Sequence, residues 1–99
     1  MNTIVRTAVF DRWLSGLRDT RGKARIIKRI RSVERGHLGD CKYVGGGVSE
    51  MRIHHGPGYR LYFTRNGETV YVLLCGGAKS RQKREILRAR KMARKLKLD

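Results

Sequence analysis

Between Val48 and Leu74 the sequence alternates apolar and polar side chains with period two, and it is broken twice, by Gly56-Pro57-Gly58 and by Asn66-Gly67. Nothing else in the chain restricts its fold as tightly. Period two belongs to strands with one buried face, and both interruptions are turn formers, so a meander of three antiparallel strands is expected. With residues 56–58 as the first loop, His55 opposes Tyr59, Ile53 opposes Leu61 and Met51 opposes Phe63. With Asn66-Gly67 as a two-residue turn, Phe63 opposes Val70, Leu61 opposes Val72 and Tyr59 opposes Leu74. These positions share one apolar face, which needs a second layer to cover it.

That layer is available upstream, where the period is helical. Val9, Phe10, Trp13, Leu14 and Leu17 make one stripe, Asp19 to Gly22 interrupts it, and Ala24, Ile27, Ile30 and Val33 make another. A helical hairpin on the apolar face follows, with "TIVR" before it as a short strand. Arg21, Lys23, Arg25, Lys28, Arg29, Arg31 and Arg35 surround the second stripe and are read as a solvated face in preference to a phosphate-contacting one. After the meander, Gly76 and Gly77 end the last strand and Ser80 is placed to cap a long helix. Its apolar stripe is thin: Ile86, Ala89 or Arg90, Ala93 and Leu96. Lys79 to Lys97 carries ten Lys and Arg against the single acid Glu85, so an arm along the sheet edge and a solvated tail are both open. The expected fold is α+β, with a small antiparallel sheet made of the three-stranded meander and the N-terminal strand. A helical hairpin covers one face and a basic helix ends the chain. Residues 1–99 suit one domain with one modest core.

Twenty-four Lys and Arg against eight Asp and Glu leave a formal charge of +16, a field that attracts polyanions. Nucleic acid is the leading partner. The longest apolar run, Val70 to Cys75, is far too short to span a membrane. "MNTIVRTAVF" has no signal-peptide core or cleavage site, which points to the cytoplasm. Cys41 and Cys75 lack a C-x-x-C spacing and read as free thiols. Adjacent strand residues point to opposite faces, so His54 and His55 cannot readily share a metal, and neither metal nor cofactor is expected.

The pleat then collects Glu50, Arg52 and His54, Arg60, Tyr62 and Thr64, and Thr69 and Tyr71 on the face opposite the hairpin. In this register Arg60 opposes His54 and Tyr62 lies between Arg52 and Tyr71. Outward faces of antiparallel sheets are usually polar, so covering the sheet and performing chemistry are both open readings of this cluster.

"GVSEMRIHHGPGYRLYF" and "VYVLLCGGAKSRQKREILRARKMA" together resemble toxins of the RelE/ParE superfamily, in particular the HigB-like, phage-related addiction-module killer proteins. The likeness extends from the Phe10/Trp13 helix to Ala93. It implies a small antiparallel sheet with two helices on one face, and a toxin of a type II toxin–antitoxin system that cleaves messenger RNA on the ribosome. Arg60, following Gly-Tyr, matches the family's active-site arginine, and Glu50, Arg52 and Lys79 stand where relatives hold charged residues. The His-Tyr pair that some relatives carry near the C-terminus is missing here, and His54 and Tyr62 are the substitutes that position suggests. Attack of a 2′-hydroxyl on its adjacent phosphate would use Arg60 and Arg52 as a clamp, Glu50 or His54 as base, and an imidazole or phenol as acid. Tyr71, Gln82, Lys83, Arg88, Lys91 and Lys95 are the expected RNA contacts. The resemblance also implies a helix-turn-helix antitoxin encoded beside the toxin. Gyrase inhibition, as in another branch of the superfamily, and passive RNA binding are the rival readings.

Overall fold

A computed structural model describes residues 1–98. The chain runs β1 (Thr3–Arg6), α1 (Ala8–Gly16), α2 (Thr20–Glu34), β2 (Cys41–Gly45), β3 (Val48–Ile53), β4 (Tyr59–Asn66), β5 (Val70–Ala78), a 3-10 turn (Lys79–Arg81) and α3 (Gln82–Leu98). Five strands form one sheet in the order β1-β5-β4-β3-β2. Neighbours are antiparallel except β1, which runs parallel to β5. The α+β class, the meander, the N-terminal strand and the helical hairpin are all realised. The sheet nevertheless gains β2, which period two could not announce: Gly45, Gly46 and Gly47 all have positive φ, and the register slips between Tyr43 and Gly45.

Polar side chains start both helices of the hairpin. Thr7 Oγ1 accepts from the Phe10 amide and donates to Leu74 O, tying α1 to β5. Asp19 Oδ1 accepts from the Gly22 amide at the start of α2, and its Oδ2 accepts from the Tyr59 hydroxyl at 2.8 Å. These bonds hold its carboxyl below the usual carboxylate range. Phe10 and Leu14 from α1 and Ile26, Ile30 and Val33 from α2 pack on Met51, Ile53, Leu61, Phe63 and Leu73. The inward stripe of α2 therefore passes through Ile26, while Ala24 faces solvent.

The strand register departs from expectation at both turns. Ile53 pairs with Tyr59 and Met51 with Leu61, two residues from the anticipated partners. His54 to Gly58 form a wider loop, closed by bonds from His55 N to Ile53 O and from Gly58 N to His55 O. Gly56 and Gly58 take φ of 54° and 77°, which side chains resist. A shift of two preserves the faces, so β3 and β4 keep theirs. The second turn is different. Asn66 pairs with Val70, leaving Gly67 to Thr69 as the loop, and a bulge interrupts the ladder between Tyr62 and Phe63. The odd-numbered shift moves Tyr71 and Leu73 onto the hairpin face, and Val72 and Leu74 onto the other.

That other face is covered rather than open. Ala89 and Ala93 bring α3 down on Tyr62, Val48, Leu74 and Cys75, with Ile86 and Met92 at the margins. Small residues permit this close approach, and Arg90 adds bonds from its guanidinium to Val44 O. The basic helix is thus a packed layer, and the arm and the solvated tail are both set aside. Gly76 and Gly77 do not end β5. A Cβ at Gly76 would run into the Trp13 ring, and one at Gly77 would lie 3.1 Å from Glu85 Cγ, so strand and helices meet only because both are glycine. Ser80 falls inside the 3-10 turn and caps nothing.

The loop into β2 hangs on one side chain. Arg29 donates from Nε to Leu38 O at 3.0 Å, from Nη1 to Arg52 O at 2.8 Å and from Nη2 to Asp40 O at 2.8 Å. Gly39, with φ of 75°, leaves room for it: a Cβ there would lie 2.7 Å from the guanidinium. A lysine ammonium cannot reproduce this fork. Arg29→Lys is expected to lower the unfolding free energy by about 2–4 kcal/mol in urea denaturation. An unchanged midpoint would show that the loop is held by other contacts.

Candidate functional site

Arg52 and Arg60 are direct cross-strand partners in β3 and β4, an arrangement that like charges disfavour. Glu50, two residues along β3, resolves it. Its carboxylate has no exposed surface, accepts from Arg52 Nε at 3.1 Å and lies 3.9 Å from Arg60 Nε. The Gln82 amide, in the first turn of α3, donates to both of its oxygens at 3.1 and 3.0 Å. Three elements therefore converge on one buried anion.

Arg60 is 6% exposed, so the expected outward placement is corrected: Glu50, the 54–58 loop and Lys79 surround it. Its Nε has no hydrogen-bond partner among the described residues, and Nη1 reaches only Tyr59 O at 3.4 Å. The residue lines a cleft of about 390 Å³ with His54, His55, Pro57, Gly58 and Lys79. Gly58, whose φ of 77° favours glycine, sits between Arg60 and Lys79, and a Cβ there would be in ordinary contact with both, at 3.5 and 3.4 Å. Lys79 is fixed by its amide, which donates to Gly58 O at 2.8 Å.

His54 is not a strand residue opposite Arg60 but the first residue of the loop. Its side chain is 73% exposed, and Nε2 lies 2.7 Å from Asp40 Oδ2. The bond to His54 is the main reason that the Asp40 carboxyl sits below its ordinary value. Asp40 has no counterpart in the sequence reading, since it stands in an irregular connection that carries no periodic signal.

Other assignments change with burial. Tyr62 is fully buried beneath α3, so it cannot stack on a base, and burial together with the Glu50 charge pushes its phenol well above the ordinary range. Tyr71 is buried on the hairpin side, 5.6 Å from the Phe63 ring, with the Arg65 guanidinium carbon 5.0 Å from its own ring centroid. Neither tyrosine presents a face to a ligand. Glu50 is committed to its three partners and Gln82 to Glu50, which corrects their placement as an accessible base and a surface RNA contact. Lys83 is exposed beside Lys79, Arg81 and Arg84 in a second cleft at the start of α3. Arg88, Lys91 and Lys95 are exposed further along the helix, with Lys95 about 20 Å from its start.

Cys41 and Cys75 are free, and burial pushes the Cys75 thiol up to about 12. Among the described residues no group of three or more His, Cys, Asp and Glu converges as metal ligands would, and no helix is long and apolar enough to cross a membrane.

The family model for phage derived protein Gp49-like (DUF891) matches residues 12–97, which include every residue of this site. An uncharacterized protein of Haemophilus influenzae is 43% identical over 93 residues, 94% of this chain and 94% of that protein.

The buried Tyr62 hydroxyl, which has no hydrogen-bond partner among the described residues, separates a catalytic phenol from a packing one. Tyr62→Phe is expected to leave stability unchanged or raise it by about 1 kcal/mol in thermal denaturation, because an unsatisfied hydroxyl is removed without loss of volume. Any activity that the wild-type chain shows on expression should also persist. A folded Tyr62→Phe variant without that activity would return Tyr62 to the reacting centre.

Proposed function

The chain belongs to the phage-derived Gp49-like family, a family associated with toxin–antitoxin addiction modules, and from that premise we propose that it is a toxin that cleaves RNA in the Arg60 cleft. One observation carries the reading. A guanidinium that is more than nine-tenths buried, with Nε unpartnered among the described residues, lines a cleft that also holds an exposed lysine and two imidazoles. Burying a cation in this way is costly unless something anionic completes its coordination, and Glu50 is shared with Arg52 and Gln82. A phosphate diester in the cleft would do so.

The reaction uses the substrate's own nucleophile. The 2′-oxygen attacks the adjacent phosphorus, its proton passes to His54, and Asp40 steadies the imidazolium that forms. Arg60 and Lys79 stabilise the added negative charge on the phosphorane oxygens. The bond from phosphorus to the 5′-oxygen then breaks, with His55 donating its own proton to the leaving 5′-oxygen while His54 keeps the one taken from the 2′-hydroxyl. The products are a 2′,3′-cyclic phosphate and a free 5′-hydroxyl. In the same reading the protein acts in the cytoplasm on messenger RNA at the ribosome, and a helix-turn-helix antitoxin encoded alongside covers the cleft.

Because Arg60 is buried against Glu50, truncation would confuse catalysis with folding, so the test is Arg60→Lys, checked by circular dichroism. With translating ribosomes it is expected to lower RNA cleavage by about 10²–10³-fold, the usual effect of losing one stabilising donor. Replacing the ribose at the cut by 2′-deoxyribose should stop the reaction. Fragments bearing 5′-phosphates, or full activity in a folded Arg60→Lys variant, would sink this mechanism. Inhibition of gyrase supercoiling without RNA cleavage would move the protein to the rival reading.

A further inference from the structure

The basic face of α2 has a structural division that its composition hides. Residues 25, 28, 29 and 32 recur at helical spacing and so share one side of the helix. Arg29 is consumed by its three carbonyl bonds. Arg25 and Lys28 are exposed beside it and line a cleft of about 340 Å³ whose opposite wall is Arg52, Ile53 and His54. The one acid on this wall is Asp40, whose carboxylate is bonded to His54 Nε2. Arg29 therefore builds the cleft by pulling α2 onto the β3 rim, and its neighbours supply free positive charge.

This cleft does not stand alone. It shares His54 with the Arg60 cleft, which in turn shares Lys79 with the cleft formed by Arg81, Lys83 and Arg84 at the start of α3. Three basic depressions thus follow one another along a single rim of the molecule, with Arg60 in the middle. A lone anion would need one of them. A chain of phosphates would use all three.

We propose that the α2 cleft is a second phosphate subsite, in which Arg25 and Lys28 hold a phosphate that flanks the one at Arg60, so that single-stranded RNA lies along the rim from α2 to the start of α3. The proposal rests on the reading of RNA as substrate, but it concerns binding and not the chemical step. Phosphate contacts position a strand without reading its bases, so the subsite supplies register and affinity for any sequence.

The test is fluorescence anisotropy with a uniformly 2′-O-methylated RNA oligonucleotide, which cannot be cleaved, titrated over a range of salt. The variant is Arg25→Gln/Lys28→Gln, and Arg31→Gln/Arg35→Gln is the control: both pairs are exposed, Arg31 on α2 and Arg35 at its C-terminal cap, and remove the same charge, but the control pair lines the depression on the far side of Lys28 and not the cleft. The cleft pair is expected to weaken binding about tenfold and to reduce the slope of log affinity against log salt by roughly 0.7–1.4, the loss of one or two phosphate contacts on a single strand. The control pair should change affinity less than twofold. Equal losses from both pairs would make the effect one of net charge and overturn the subsite, as would unchanged binding by the cleft pair. Cleft-dependent binding by a protein that cuts no RNA would support the subsite while defeating the nuclease reading.

Discussion

The buried Glu50 carboxylate is the interaction on which the remaining geometry depends. It allows Arg52 and Arg60 to stand opposite each other in adjacent strands, and it takes both hydrogen bonds of the Gln82 amide, which fixes where α3 begins. Removing two oxygens and a guanidinium from water offsets much of what their attraction returns. The contribution of the cluster is therefore positional: it decides that α3 crosses the sheet over Tyr62, and that Arg60 ends beside Lys79 at the mouth of the 54–58 loop. A chain with +16 formal charge folds around a carboxylate because that carboxylate lies where its cations would otherwise repel.

Much of this was legible in the residues. Period two located β3, β4 and β5, the apolar spacing of Phe10, Leu14, Ile30 and Val33 located the hairpin, and Gly-Tyr-Arg drew attention to Arg60. What the residues do not announce has physical causes. Loop length at Gly56 and Asn66 is settled by hydrogen bonds that composition does not encode, and the three-residue loop after Asn66 reverses the faces of residues 71–73 until the bulge at Leu74 restores them. Tyr71 changed sides for that reason alone. The anchoring of α3 was underestimated because Ala89 and Ala93 score as weak hydrophobes, although their small size is what lets the helix approach the sheet.

The candidate site was recovered unevenly for the same reasons. Arg60, Lys79 and His54 do come together around one cleft, whereas Glu50 and Tyr62 lie under α3 and Gln82 begins it, so that they hold structure instead of meeting a ligand. Asp40 sits in an irregular connection without periodic signal, and Arg25 and Lys28 sit within a uniformly basic helix whose charges read together as a solvated face. In both cases the distinguishing fact is a neighbour brought from far along the chain: His54 for Asp40, and the Arg29 bonds to Arg52 O and Leu38 O for the α2 face.

The parallel pairing of β1 with β5 places Thr3 beside Val70, and Glu50 waits for Gln82. Contacts of such separation are slow to form, because the intervening loop must close before any bond rewards it. During synthesis the hairpin helices and the first strands emerge long before their sheet can be completed. Arg60 consequently acquires its finished surroundings only when α3 has left the exit tunnel. The Arg60 cleft is therefore incomplete, by topology, for most of the chain's translation, and it closes only with the last helix.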